Sequence, residues 1–296
     1  GLAMQRLVDR FNASQSEIFV RYLSIGSIDQ KAMIAVAGRS PPDILGLWSF
    51  NIPSFAEAGA LMPLDELAAK SGIASTNYAQ AVWPMLTHRD QLFSLISTCG
   101  TIALYTYGSR ELIKFQSGVG FYGTAQAPFL TGRVGLTIQG PWMANLIEAF
   151  APDLNYRVVP MPTISSIADP SRPVGLVDGD VLTIPAGARE PEASFAFIAW
   201  MQEQKQIEEI ATAHAKNSPL AQVSDAFIAG HPNRGITAHN AIAASDRAFR
   251  FPKTRVWPRY VSEFDAAFQR LWLLQDEPAS MLTSINARAQ VALDQA

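Results

Sequence analysis

The hydrophobic period changes repeatedly along the first two thirds of the chain, and that alternation restricts it to a mixed α/β architecture. Met4, Leu7, Val8 and Phe11 recur at i, i+3, i+4 and i+7, which predicts an amphipathic helix from the first residues onward. Ile18–Leu23 has the β-branched and aromatic content of a strand. Ile28–Ala37 reads as a helix, with Gly38 as the C′ residue that ends it. Pro42-Asp43 introduces Ile44–Trp48, an apolar run suited to a buried parallel strand. Asp65–Lys70 reads as a helix stopped near Gly72. Leu92–Ile96 and Thr101–Tyr107 read as strands joined by a small-residue turn, Ser97-Thr98-Cys99-Gly100. Val134–Ile138 is a strand broken by Gly140-Pro141, Met143–Phe150 a helix, and Tyr156–Met161 and Val181–Ile184 further strands. Pro160–Pro173 is a loop that suits a connection between domains. From Pro191 the pattern is helical to the end.

Composition narrows the function classes. The 296 residues are 48% hydrophobic and 17% charged, which is enough apolar content to bury a core. Lys plus Arg number 23 and Asp plus Glu 26, a net charge of −3, so no basic field favours nucleic acid. A single cysteine, Cys99, excludes a disulfide scaffold, and no apolar run approaches the ~18 residues that span a bilayer. The length suits about two domains.

Motifs for catalysis are weak. Gly118-Val119-Gly120-Phe121-Tyr122-Gly123 matches G-x-G-x-x-G, but a polar helix-like segment precedes it and no carboxylate follows ~20 residues on, so dinucleotide binding is not expected. His88, His214, His231 and His239 form no i, i+4 pair, and no cofactor or metal is expected. Asp178 and Asp180 flank Gly179 and could serve glycoside hydrolysis, but accepting hydrogen bonds from ligand hydroxyls is the favoured reading. The aromatic positions say more. Trp48 closes an apolar strand, and Trp142 follows Gly140-Pro141 where a strand turns into a helix. Ligands of α/β sheets collect beyond the carboxyl ends of strands, and an indole there offers a flat apolar face with one N–H donor. That suits the C–H face of a sugar ring, and Trp257 and Tyr260 could add a third wall.

Several segments together resemble the sugar-binding family 1 of extracellular solute-binding proteins, the receptors of ABC importers. They are Pro42-Asp43-Ile44-Leu45 continuing to Phe55-Ala56-Glu57-Ala58-Gly59-Ala60-Leu61-Met62-Pro63-Leu64-Asp65; Thr98 to Tyr107; Phe129-Leu130-Thr131-Gly132-Arg133 with Gly140-Pro141-Trp142; and Leu182-Thr183-Ile184-Pro185-Ala186-Gly187 followed by Pro191-Glu192-Ala193. The resemblance implies an α/β, two-lobed, type II periplasmic-binding-protein-like fold with a helical C-terminal third. Lobe one would comprise residues 1–107, lobe two 108–174, and residues 175–296 would return to lobe one. It implies a monomer that captures a carbohydrate or polyol and delivers it to a membrane permease, outside the cytoplasm and membrane-associated. Carried over by position, the ligand-binding residues are Trp48, Ser49, Asn51, Ser97, Thr98, Trp142, Asp178, Gly179 and Tyr260. The chain departs from the family pattern in two places. The resemblance leads one to expect a strand before the first helix and, after Tyr107, on the order of a hundred further residues, the size of a small domain.

Overall fold

The structure, a computed structural model, describes residues 1–106, 123–163, 169, 171–272 and 275–295. The G-x-G-x-x-G stretch falls largely outside them, as does the Tyr107–Gly108 junction.

Helix α1 (Leu2–Ser14) buries Leu7, Val8 and Phe11 of the predicted stripe together with Ala3, while Met4 is half-buried against the same core. Residues 18–23 follow it with strand-like alternation, Ile18, Val20 and Tyr22 packing on the core while Phe19 and Leu23 are exposed. They form no strand, because among the described residues no ladder partner lies beside them: the Val20 backbone is satisfied by both ends of the Asn12 amide, at 2.8 Å each. A cavity of about 400 Å³ adjoins this segment and the edge of β1 (Leu45–Trp48) that pairs with no strand. Helix α2 (Ile28–Ala37) has the predicted limits, but Gly38 stays at φ −77 and Arg39 takes the left-handed conformation at φ 54.

The first sheet has the order β1–β8–β4, with β8 (Val177–Thr183) between β1 and β4 (Leu95–Thr101), and both pairings are antiparallel. Residues 44–48 were expected to lie in a parallel sheet. The strand inserted beside β1 instead arrives from residue 177 onward and runs the opposite way. Ser97-Thr98-Cys99-Gly100 is not a turn but the centre of β4. All of β4 is buried, and small side chains fit a strand covered on both faces. A register shift between Ile96 and Thr98 marks a bulge there. Around this sheet pack α3 (Ile52–Glu57), α4 (Asp65–Lys70), a short turn α5 (Trp83–Leu86) and the hairpin β2–β3 (Thr87–His88, Gln91–Leu92). The core includes Leu7, Ile52, Leu64, Ile96 and Ile184, all fully buried.

β4 ends at Thr101, and β5 (Ala103–Thr106) begins a second sheet of order β6–β5–β7 with β6 (Leu136–Gln139) and β7 (Arg157–Val159). Its own small core gathers Tyr105, Phe129, Leu130, Met143, Ile147 and Tyr156 beneath α6 (Met143–Phe150). The chain passes back beside Ile102, whose N–H donates to the Leu176 carbonyl at 2.9 Å, and then enters β8. The rest is helical: α7 (Pro191–Met201), α8 (Gln204–Ala213), α9 (Asp225–Gly230), α10 (Ile236–Ala244) and a hairpin of α11 (Trp257–Trp272) and α12 (Pro278–Asp294).

Candidate ligand-binding cleft

The two sheets meet where β4 becomes β5, and the chemistry concentrates there. Along β8, Val177 and Gly179 are buried and Asp178 and Asp180 are partly exposed, so the two carboxylates share one face. Gly179 faces the other way. A Cβ on it would lie 2.5 Å from the Thr98 carbonyl and 2.6 Å from Ile96, so its role is to let β8 approach β4 rather than to touch a ligand.

Cross-strand register places the neighbours. Trp48 stands opposite Asp180 on one side, Thr98 opposite Asp180 on the other, and Gly100 opposite Asp178. Residues directly opposite share a face. The bare position at Gly100 is filled by the Trp142 ring, which would sit 3.2 Å from a Cβ there; the ring also folds back over Gly140. Trp48 and Trp142 thus flank a floor of Asp178 and Asp180.

Each carboxylate is tied down. Ser49, at the first turn after β1, donates to Asp178 at 2.5 Å. Burial holds the Asp178 carboxyl above its ordinary range, against the hydrogen bonds from Ser49 and the Gly179 amide. Thr98 donates to Asp180, and the Lys216 ammonium reaches the same oxygen at 2.8 Å and Thr98 at 2.9 Å. Lys216 was not among the candidates from sequence. Its ammonium lies 5.9 Å from the Trp48 ring centre and 6.0 Å from that of Trp142, within cation–π range of both. It is placed there by Ala215, which leaves α8 at φ 52, and by Asn217, which bridges to Cys99. A non-glycine residue in that region costs on the order of 1 kcal/mol, and no motif in the sequence announces it.

The remaining candidates divide. Ser97 is buried, and its hydroxyl donates inward to the Asp180 carbonyl at 3.1 Å. Asn51 is buried at the start of α3. Tyr260 is not brought to the carboxylates. A run of rings spaced 5.4 to 6.2 Å apart, through Phe50, Phe251 and Trp257, separates it from Trp48. The 400 Å³ cavity is lined by Val20, Tyr22, Leu47, Trp48, Ser97 and Asp180, so it shares Trp48 and Asp180 with the cluster.

This geometry has clear relatives. Residues 112–232 match a family described as bacterial extracellular solute-binding protein. The fold of the chain is that of the two-lobed periplasmic sugar-binding proteins. MalE from Xanthomonas citri superposes with a TM-score of 0.79 at 15% identity, covering 99% of this chain and 94% of that one. UgpB from Mycobacterium tuberculosis, in complex with glycerophosphocholine, gives 0.78 at 16%, covering 100% and 95%. An ABC substrate-binding protein from Listeria monocytogenes, in complex with cycloalternan, gives 0.80 at 12%, covering 99% and 96%. The fold expected from the resemblance therefore holds, and the family match takes in Gly140-Pro141-Trp142 while Pro42–Asp65 lies outside it.

Proposed function

We propose that this chain is the substrate-binding protein of an ABC importer, which captures a carbohydrate or related polyol between its lobes and delivers it to a membrane permease. The observation that carries this is the pairing of Trp48 and Trp142 across Asp178, Asp180, Thr98 and Lys216. Indole faces take the apolar C–H side of a sugar ring. Carboxylates accept from its hydroxyls, and an ammonium donates to them. Such a ring is apolar on its faces and polar around its edge, as this set of groups requires. The neighbours solved with cycloalternan and with glycerophosphocholine support a hydroxylated ligand of this class.

In this reading one lobe comprises residues 1–107 and 175–296 and the other residues 108–174, with β5, at the end of the first stretch, pairing with β6 and β7 of the second. Closure over a ligand shifts the population toward the shape a permease recognises. The protein acts as a monomer in the periplasm or, membrane-associated, at the extracellular face; no helix among the described residues is long and apolar enough to cross a bilayer.

Thermal shift against a panel of maltose, mannotriose, cycloalternan, simple polyols and glycerophosphocholine tests the proposal. A saturable rise in Tm with at least one of them supports it. No response to any member, or release of reducing ends that Asp178→Asn abolishes, overturns it, the latter in favour of a hydrolase.

A further inference from the structure

A buried histidine, His239, and a half-buried one, His231, both outside the ligand-facing set, converge on the turn that carries Trp142. The first belongs to a chain of four residues. The Thr101 hydroxyl lies 2.7 Å from His239 Nδ1, His239 Nε2 lies 3.1 Å from the Tyr105 hydroxyl, and that hydroxyl donates to the Gly140 carbonyl at 2.9 Å. Thr101, Tyr105 and His239 are all fully buried. Counting protons fixes the direction. Tyr105 has one proton, given to Gly140, so its oxygen accepts from Nε2–H. Nδ1 is then bare and accepts from Thr101, whose other acceptor, the His239 carbonyl, is farther away at 3.4 Å. The imidazole is neutral, in keeping with burial that pushes it down to about 4.

The second chain is built alike. The Asn233 N–H donates to His231 Nδ1 at 3.1 Å, and His231 Nε2 donates to the Lys216 carbonyl at 3.0 Å. The Asn233 amide nitrogen donates to the Pro141 carbonyl at 3.0 Å. Consecutive carbonyls, Gly140 and Pro141, are therefore held from two directions, and the Trp142 indole rests against Gly140 and Gly100. The far ends of the two chains are Thr101, the last residue of β4, and the backbone carbonyl of Lys216, whose ammonium lies in the cleft.

We propose that His239 and His231 are positioning residues, which lock the Gly140–Pro141 turn and so orient the Trp142 indole with respect to the first sheet and Lys216. The relay crosses the junction between the sheets, because Thr101 lies in β4 and Tyr105 in β5. The cleft wall is thereby set before any ligand arrives, which is the arrangement that binds without paying to reorganise. The inference rests on Trp142 lining the cleft, but its test needs no ligand.

The test is fluorine NMR of the full chain labelled with 5-fluorotryptophan, the Trp142 line being assigned by its loss in Trp142→Phe. Thr101→Val keeps the shape of the side chain and removes the proton that Nδ1 accepts, whereas Thr101→Ser retains it. The expected result is a displaced or doubled Trp142 line in Thr101→Val and a wild-type line in Thr101→Ser. Tyr105→Phe, which keeps the ring against Phe129 and Tyr156, carries the same expectation should Thr101→Val fail to fold. An unchanged Trp142 line in the folded variants, whatever their Tm, overturns the proposal. Sugar binding that fails while the line moves as expected refutes the ligand reading and leaves the relay standing.

Discussion

Substituting Gly179 by alanine tests whether the cleft floor depends on the close approach of β8 to β4. A Cβ at this position meets the Thr98 carbonyl at 2.5 Å and Ile96 Cδ1 at 2.6 Å, whereas ordinary contact begins near 3.4 Å. One neighbour is backbone and the other lies in a fully buried isoleucine, so neither yields freely, and the strands must part by almost an ångström. Overpacking of this kind costs about 1–3 kcal/mol. At roughly 2–4 °C per kcal/mol for a chain somewhat smaller than this one, Tm should fall by about 2–12 °C. Gly46→Ala is the control, since a Cβ on Gly46 in β1 meets nothing within 4 Å. Thermal unfolding followed by circular dichroism reads both. Equal Tm values for the two variants would refute the argument that Gly179 is a packing residue and would restore it as a candidate ligand contact.

Three further outcomes follow from the buried titratable groups. His239 falls from an ordinary 6.5 to about 4, so the folded state binds fewer protons than the unfolded one between these values. Stability contributed by its neutral form is complete above pH 6.5, lost as pH falls to 4, and amounts to roughly 3 kcal/mol; the Tm-against-pH slope in that window should flatten in His239→Gln. Asp178 is raised by burial, so its contribution is lost as pH rises through its folded value. Asp178→Asn, which can still accept from Ser49, should therefore match or exceed wild-type Tm at pH 7 and show no advantage at pH 3; a lower Tm at pH 7 would contradict the burial argument. Cys99 is fully buried, with its thiol pushed up to about 12, so it should resist thiol reagents until the protein unfolds. Prompt labelling of native protein would contradict its placement within β4.

Legibility in the sequence followed how local the determinants were. The stripe Leu7, Val8 and Phe11 specifies α1 within one segment, and α2 and α6 match their predicted limits because the neighbouring breakers, Gly38 and Gly140-Pro141, are local too. Strands were harder, since pairing is decided by residues far away. Ser97–Gly100 has turn composition, yet Val177–Thr183 pairs with it and makes it a strand. Residues 18–23 have strand composition and no ladder. In the cleft, Trp142 was visible because Gly140-Pro141 marks a strand-to-helix turn, and Trp48 because it ends an apolar run. Lys216 was not visible, because an alanine occupies the left-handed position that aims it across the sheet. The common face of Asp178 and Asp180 was hidden by the freedom of Gly179, and only the ladder with β4 fixes it.

The most direct test of the account is calorimetric titration of wild type, Trp142→Ala and Asp180→Ala with whichever panel sugar raises Tm most. The account predicts saturable one-to-one binding by the wild type and at least a tenfold weaker dissociation constant in each variant, a loss of about 1.4 kcal/mol or more. Wild-type affinity in both variants would place the ligand elsewhere and contradict the central claim that it sits between Trp48 and Trp142 over the paired carboxylates.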